Sequence, residues 1–176
     1  MKSLVQAALD FGFSHAGLLD VATLAVRPEV RDMCAADLCS QYGRCWVCPP
    51  GCGTLDDSRK LLAGFKAGLL VQTTVVLEDE YDYEAMLAAG EEHRRLVADF
   101  RHELWPRFPK LVALGNGACT ICDPCTYPDA PCRYPELAVQ SMEALGLVVS
   151  DVCAANDLPY YHGPGTLTYT GCYLLI

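Results

Sequence analysis

The sequence predicts an α/β protein in which one compact domain, residues 1–176, holds a mixed sheet flanked by helices and two cysteine-rich loops. Three observations predict this architecture. Segments with helical periodicity alternate with short β-branched apolar segments along the chain. A length of 176 residues suits one domain with a substantial core. The composition, 52% hydrophobic and 20% charged, excludes a disordered chain and suits a compact globular one.

The first half of the chain contains helix and strand signals on both sides of an irregular segment. The predicted elements are a helix over residues 3–11 that ends at Gly12, a strand over residues 14–20, a helix that Thr54 begins and Gly68 ends, and a buried strand over residues 69–77. Thr54 is predicted to be an N-cap because Asp57 follows it at the capping-box spacing. Residues 25–53 show no regular pattern and contain five of the eleven cysteines.

The second half of the chain begins with its longest helical segment. The predicted elements are a helix over residues 83–104 that Trp105-Pro106 ends, a strand over residues 111–114, a helix that Pro135 begins and Gly146 ends, a brief strand over residues 147–149, a helical turn over residues 151–157, and a terminal strand from Leu167. Each cysteine-rich loop is thus predicted to precede a helix.

The second cysteine loop, residues 119–132, carries the most specific motif in the sequence. Cys119, Cys122 and Cys125 follow one another at two-residue gaps, and Cys132 comes seven positions later. Runs of this kind deliver thiolates to iron–sulfur clusters. Structural zinc sites more often use two C-x2-C pairs separated by a longer loop, and disulfides belong to secreted proteins. The spacing therefore favours a [4Fe-4S] cluster, with zinc as the alternative.

The first cysteine loop, residues 34–52, is less regular and leaves several arrangements open. It contains Cys34, Cys39, Cys45, Cys48 and Cys52, and Pro49-Pro50 follows the fourth. The loop either binds its own cluster through four of these thiols, or supplies only three and leaves one iron open, or exchanges ligands with the second loop. Cys45 and Cys52 are either ligands or small buried hydrophobic residues. Trp46 and Tyr42 are predicted to cover the metal site of this loop and limit its access to water.

The remaining cysteines and the histidines give weaker signals. Cys153 and Cys172 stand alone in apolar segments, which predicts core packing. Three histidines, His15, His93 and His102, are spread over separate elements and are predicted to be solvated or packed. His162, in the sequence YYHGPG, is the one candidate for a ligand or proton donor. The sequence contains no glycine-rich phosphate-binding motif.

The charge and the N-terminal sequence narrow the choice of partners and compartment. A formal net charge of −9 excludes nucleic acid as a partner and suits docking to a basic patch on a redox protein. The N-terminal sequence MKSLVQAALDFGF lacks the pattern of a signal peptide. No segment approaches the roughly 20 apolar residues that span a bilayer, so no membrane association is predicted. We therefore expect a cytoplasmic protein whose thiols stay reduced and free for metal.

Two blocks of the sequence resemble a known family. They are Cys34, Cys39, Tyr42, Gly43 and Cys48 with Pro49-Pro50, and the block that runs from Gly117 through PCRYPELA to SMEALG. Together they resemble the predicted metal-binding proteins grouped as domain of unknown function 2284 (DUF2284), from Gly12 to the terminal strand. The resemblance implies metal or iron–sulfur binding through Cys34, Cys39, Cys48, Cys119, Cys122, Cys125 and Cys132, and it implies no established reaction. Cys45 and Cys52 lie outside the family pattern.

Three functional hypotheses follow from the sequence. The first is an iron–sulfur protein with two [4Fe-4S] clusters that passes electrons to a partner enzyme, such as a metalloenzyme or a corrinoid enzyme. The second is an enzyme in which a cluster held by three cysteines has an open iron that acts as a Lewis acid on a small hydroxyl, carboxylate or sulfur-containing substrate. The third is a structural zinc protein or a carrier of metal or clusters.

Overall fold

A computed structural model describes residues 2–176 of the chain. Within these residues the helices are α1 (Lys2–Phe11), α2 (Pro28–Ala35), α3 (Leu55–Ala63), α4 (Tyr83–Leu104) and α5 (Val149–Ala155). The strands are β1 (His15–Asp20), β2 (Ala67–Val76), β3 (Val112–Gly115), β4 (Gln140–Ser141) and β5 (Thr166–Leu174). None of the described helices is long and apolar enough to span a membrane.

The strands form one mixed sheet, which confirms the predicted α/β class. The strand order is β1-β2-β5-β3-β4. The pairs β1–β2, β2–β5 and β5–β3 are antiparallel, whereas β3 and β4 are parallel. The long strands β2 and β5 form the centre, with Gly68 opposite Leu174 at one end and Val76 opposite Thr166 at the other. The second cysteine loop lies in the connection between the parallel strands β3 and β4.

Both faces of the sheet are covered. Successive side chains of the central strands point to opposite faces, so each strand contributes residues to the packing on both. On one face Leu69 and Tyr173 pack with Phe100 of α4, and the Tyr173 hydroxyl donates a hydrogen bond of 2.9 Å to the Val97 carbonyl oxygen. On the other face Leu70 packs in a cluster with Leu62 of α3, Met142 and Val152 of α5. The result is three layers, in which helices enclose a sheet whose central strands are buried on both faces.

The two cysteine loops pack against each other. A third, smaller apolar cluster joins Cys45, Val47 and Cys48 of the first loop to Ala118, Cys119, Cys125 and Ala138 of the second. Helix α2 leads into the first loop, and Cys34 lies in its last turn. Strand β3 leads into the second loop, so the sheet and α2 together set where the two groups of cysteines meet.

The helix predicted from Pro135 to Gly146 is wrong, and so is the expectation that a helix follows the second cysteine loop. Residues 135–137 form a turn, Gln140–Ser141 form β4, and Glu143–Leu145 form a single 3-10 turn. Helical spacing of apolar residues was a misleading signal here, because Ser141 must lie beside Gly115 in the sheet. Gly146 does end the 3-10 turn, in a left-handed conformation with φ of +84°.

Other boundaries differ from prediction for local reasons. The third helix ends at Ala63, and Gly68 is a residue of β2 where a Cβ atom would collide with the Tyr173 carbonyl oxygen. Helix α2 was not predicted, although its Pro28 stands in the first helical turn, where proline is common. The predicted strand at residues 147–149 is a single bridge from Leu147 to Val26. The bounds of α4 match the prediction.

The capping box predicted at the start of α3 is present. The Thr54 side chain accepts a hydrogen bond from the Asp57 amide, and the Asp57 carboxylate accepts one of 2.9 Å from the Thr54 amide. We expect Thr54→Ala to lower the free energy of unfolding by about 1 kcal/mol, because the Asp57 amide at the helix start loses its hydrogen-bond acceptor. Urea titration followed by circular dichroism measures this. Thr54→Ser, which keeps the oxygen, is the control, and an equal loss in both variants would contradict the capping argument.

Candidate metal centres

The four thiols of the second cysteine loop line one small pocket of about 10 Å³. Cys119, Cys122, Cys125 and Cys132 all line it, and the rest of the lining is Trp46, Val47, Ile121, Tyr134 and Ala138. The structure therefore brings together the four cysteines that the sequence placed in one site. Their surroundings are apolar and aromatic, which limits the access of water to the thiols.

Local hydrogen bonds fold the second loop back on itself. The Thr126 hydroxyl donates to the Pro131 carbonyl oxygen at 2.9 Å, and the Ala130 amide donates to the Thr126 carbonyl oxygen at 3.0 Å. These bonds bring the segment that carries Cys132 next to the segment that carries Cys125. The Arg133 guanidinium closes the same turn by donating to the Pro124 carbonyl oxygen at 3.0 Å.

Trp46 of the first loop covers the pocket of the second loop. Its indole ring meets the ring of Tyr127 edge to face, with centroids 4.9 Å apart, and its Nε1 donates to the Ala130 carbonyl oxygen at 3.1 Å. The close approach also requires Gly51, because a Cβ atom there would lie 2.8 Å from the Tyr127 ring and 2.7 Å from the Cys45 carbonyl oxygen. Trp46 was predicted to cover the site of its own loop, and this prediction is wrong.

Three thiols of the first loop line a separate and larger cavity. Cys34, Cys39 and Cys48 border a space of about 250 Å³ together with Tyr42, Glu143 and residues of both loops. Tyr42 thus stands beside the cysteines of its own loop, as predicted. Cys52 is not in this lining, but its sulfur is near enough to Cys34 and Cys48 for their charges to interact. The Cys52 thiol also lies 3.7 Å from the Ala144 carbonyl oxygen.

Arg31 places a buried positive charge beside the first loop. Its Nη1 donates to the Gly53 carbonyl oxygen at 3.1 Å, whereas Nε and Nη2 are buried and have no partner within the described residues. Burial raises the pKa of the Cys34 and Cys52 thiols, and the charge of Arg31 acts in the opposite direction on both. Unsatisfied guanidinium donors next to thiols suit an anionic group at this position.

Cys45 lies at the junction of the two loops and lines neither pocket. Its side chain is buried, and its sulfur accepts hydrogen bonds from the Cys48 thiol and from the Cys119 amide. The bond from Cys48 lowers the pKa of Cys45 to about 6, and the same bond together with burial raises the pKa of Cys48. Burial does not separate the two interpretations of Cys45, because the candidate ligand Cys48 is buried as well, so the role of Cys45 stays a prediction.

The isolated cysteines and the histidines lie away from both pockets. Cys153 and Cys172 are fully buried in the core, as predicted, and burial raises the pKa of Cys172 to about 12. His162 stacks on His15 with ring centroids 3.9 Å apart and bonds to Gln72 at 3.0 Å. Neither of these two histidines borders the cysteine pockets, so His162 is not placed as a ligand there.

Several thiols of each loop border a common pocket, but they are too far apart to coordinate a single metal ion. Among the described residues, no three Cys, His, Asp or Glu side chains are close enough to hold one metal ion. Burial raises the pKa of Cys119, as it does for Cys34, so these two thiols hold their protons when no metal is bound. Metal binding would have to displace these protons, which makes metal affinity increase with pH. The metal ligands remain a prediction from the sequence.

Two residues beside the first loop were missed by the sequence analysis. Arg31 precedes Cys34 by three positions, so a helical α2 would have placed both on one face, but that helix was not predicted. Glu143 lies in the 3-10 turn that follows β4 and borders the cavity of Cys34, Cys39 and Cys48. Its sequence context, SMEALG, carries no signal for such a position.

The chain was compared with protein families, curated proteins and solved structures. The family model of a predicted metal-binding protein, DUF2284, matches residues 17–175. No curated protein and no solved structure gives a match. Since the family model spans nearly the whole chain, both cysteine loops lie within it, and the chain belongs to the DUF2284 family of predicted metal-binding proteins.

Proposed function

We propose that this protein binds two [4Fe-4S] clusters and passes electrons to a partner protein. The observation that carries the proposal is the small pocket of the second loop, which all four thiols line. Four thiolates are the usual ligand set of such a cluster, and the cluster supplies one-electron redox chemistry. The residues that would hold it are Cys119, Cys122, Cys125 and Cys132.

The first loop supports a second cluster next to the first. Its ligands would be Cys34, Cys39 and Cys48, and Cys52 is the nearest additional thiol. The unpaired Nε and Nη2 atoms of Arg31 would donate hydrogen bonds to the thiolates or to sulfide. Because the two loops pack in one apolar cluster, the two centres would be neighbours, as electron exchange between them requires.

The surface beside the first loop supports a protein partner. Leu38 is 94% exposed and Met33 is 65% exposed, and each precedes a cysteine of the predicted ligand set. The chain as a whole carries a formal net charge of −9. A partner with a basic rim around an apolar centre would match both features, and its association rate would fall as salt is added. We place this partner and its electron exchange in the cytoplasm.

The proposal is tested by analysing protein purified without oxygen for iron, sulfide and zinc. Two clusters require about eight irons and about eight sulfides per chain. Electron paramagnetic resonance before and after dithionite then shows whether the clusters accept electrons. Zinc without iron would overturn the proposal in favour of a structural or carrier role. Iron that dithionite cannot reduce would overturn electron transfer alone.

A second candidate function is an enzyme at the first loop. The observation that favours it is the cavity of about 250 Å³ beside Cys34, Cys39 and Cys48, large enough for a small substrate. A cluster held by three thiolates supplies a Lewis-acidic iron. Glu143 borders the same cavity, where its carboxylate would accept or return a substrate proton. Cys52→Ser separates the candidates: loss of about four irons identifies Cys52 as a fourth ligand and excludes the open site.

Trp46 is expected to protect the second centre. We expect Trp46→Ala to accelerate the loss of visible cluster absorbance in air several-fold, because removal of the indole opens the pocket of the second loop to water and oxygen. The measurement is the decay of that absorbance after exposure to air. Trp46→Phe is the matched control, since it keeps an aromatic ring against Tyr127 and loses only the hydrogen bond to Ala130. Equal decay in wild type and Trp46→Ala would contradict the covering role.

A further inference from the structure

A third cavity lies on the other side of the second loop, against helix α4. Its volume is about 250 Å³, and it is bordered by α4, by the end of β3 and by residues 118–121. This is slightly below the range of about 300–1,000 Å³ that holds drug-sized ligands, so the space suits a small metabolite. Cys119 borders both this cavity and the pocket of the four thiols. Neither the family description nor the proposed electron transfer assigns it a role.

Two residues of the lining carry buried polar atoms that lack a partner within the described part of the chain. The Nε atom of Arg94 and the Oδ1 atom of Asn116 are both buried and have no hydrogen-bond partner within the described residues. Arg94 also makes none of the ion pairs found in that part of the chain. Its Nη1 atom lies 3.9 Å from where a Cβ atom of Gly117 would be, so the guanidinium faces the start of the second loop. Buried donors and acceptors without partners are costly, and a ligand that pairs with them removes that cost.

The neighbouring arginine, Arg95, differs from Arg94 because it is held in ion pairs on the same helix. Arg95 also borders the cavity, but its guanidinium is paired with Glu92 at 2.7 Å and with Asp99 at 2.9 Å. Glu91 also borders the cavity, but it forms no ion pair with Arg94. The charge of Arg94 is therefore available to an anion that enters the cavity.

Apart from Glu91, Arg95 and Thr120, the other walls of the cavity are largely hydrocarbon. They are formed by Val97 and Ala98 of α4 and by Ile121, Leu137 and Val139. An apolar wall opposite one guanidinium excludes a fully hydrated inorganic ion and favours a molecule with an anionic head and a short hydrocarbon chain. The planar guanidinium matches a carboxylate with two parallel hydrogen bonds. Asn116 Oδ1 requires a donor on the ligand, such as a hydroxyl group next to the carboxylate.

We propose that this cavity binds a small hydroxy carboxylate with a short branched hydrocarbon chain, through Arg94 and Asn116. The carboxylate lies against Arg94, the hydroxyl donates to Asn116, and the chain contacts Val97 and Leu137. Such a ligand would cover one side of Cys119. The proposal does not depend on the identity of the metal, because none of the groups that hold the ligand is a predicted metal ligand.

The test is a titration of the full chain, purified without oxygen, with 2-hydroxyisovalerate and with isovalerate, followed by saturation-transfer NMR of the ligand. We expect both acids to bind, with the hydroxy acid about threefold to tenfold tighter because only it can donate to Asn116. Arg94→Met should weaken binding at least tenfold, because a charged hydrogen-bond pair is lost. Arg59→Met, which removes an arginine of α3 that lies outside the cavity lining, should leave the affinity unchanged.

A second variant keeps the proposal testable if Arg94→Met does not fold. Leu137→Trp fills the cavity from a half-exposed position and leaves Arg94 intact, so it should abolish binding while circular dichroism stays unchanged. The proposal is overturned if neither acid binds at about 50 mM, well above the roughly millimolar affinity expected of so small a ligand. Equal binding by Arg94→Met, or tighter binding of inorganic phosphate, also overturns it. Binding with no iron present would leave this proposal intact while the proposed function failed.

Discussion

Replacing Cys125 by serine is expected to lower the iron content of protein purified without oxygen from about eight to about four atoms per chain. Cys125 is one of the four thiols that line the pocket of the second loop. A serine oxygen is a harder and more basic donor than a thiolate and binds poorly to the iron of a cluster. Iron and sulfide assays measure the loss, and the reduced electron paramagnetic resonance spectrum should keep only the signal of the first loop.

Two further variants make this test specific. Cys39→Ser, in the first loop, should remove the other four irons and leave the second centre intact. Cys153→Ser is the control, because Cys153 is buried in the core beside Gln72 and borders neither cysteine pocket. It should keep all of the iron. Complete loss of iron from either single loop variant would mean that the loops exchange ligands, and full retention in Cys125→Ser would remove Cys125 from the ligand set.

The features predicted correctly from the sequence are those encoded within one segment. The capping box depends on Thr54 and Asp57 alone, and the length of α4 depends on a periodic run that Trp105-Pro106 interrupts. The grouping of Cys119, Cys122, Cys125 and Cys132 follows from their spacing, because a short loop must fold back to bring them together. Local sequence is sufficient for each of these.

The features that were missed depend on contacts between distant segments. Residues 135–145 have helical spacing, but pairing of Ser141 with Gly115 extends the chain there, and strand pairing across 26 positions is not visible in a local pattern. Trp46 lies in the first loop of the sequence, but its side chain packs against Tyr127 of the second loop. Arg31 joins the first site only because α2 packs where it does. Tertiary structure, rather than local propensity, decided all three.

The protein is expected to lose about 2 kcal/mol of folding free energy between pH 7.5 and pH 5 through one buried histidine. His93 of α4 is fully buried, its Nδ1 lies 2.8 Å from the Thr73 hydroxyl, and its Nε2 has no partner within the described residues. Burial lowers the pKa of His93 from 6.5 to about 4. The folded state therefore keeps the ring neutral where the unfolded state protonates it. This contribution is fully present above about pH 6.5 and is lost progressively as the pH falls toward 4.

Comparison of variants isolates this histidine from other titrating groups. Urea unfolding at several pH values between 7.5 and 5 should show a shallower pH dependence for His93→Gln than for wild type, by about 2 kcal/mol over the range. Glutamine keeps a group that can bond to Thr73 and removes the titration. His102→Gln, on the exposed side of the same helix, should keep the wild-type slope. All three proteins retain the eleven cysteines, so thiol and metal effects cancel in the difference. Identical slopes in wild type and His93→Gln would show that His93 is protonated with equal ease in both states, and that its cavity admits water.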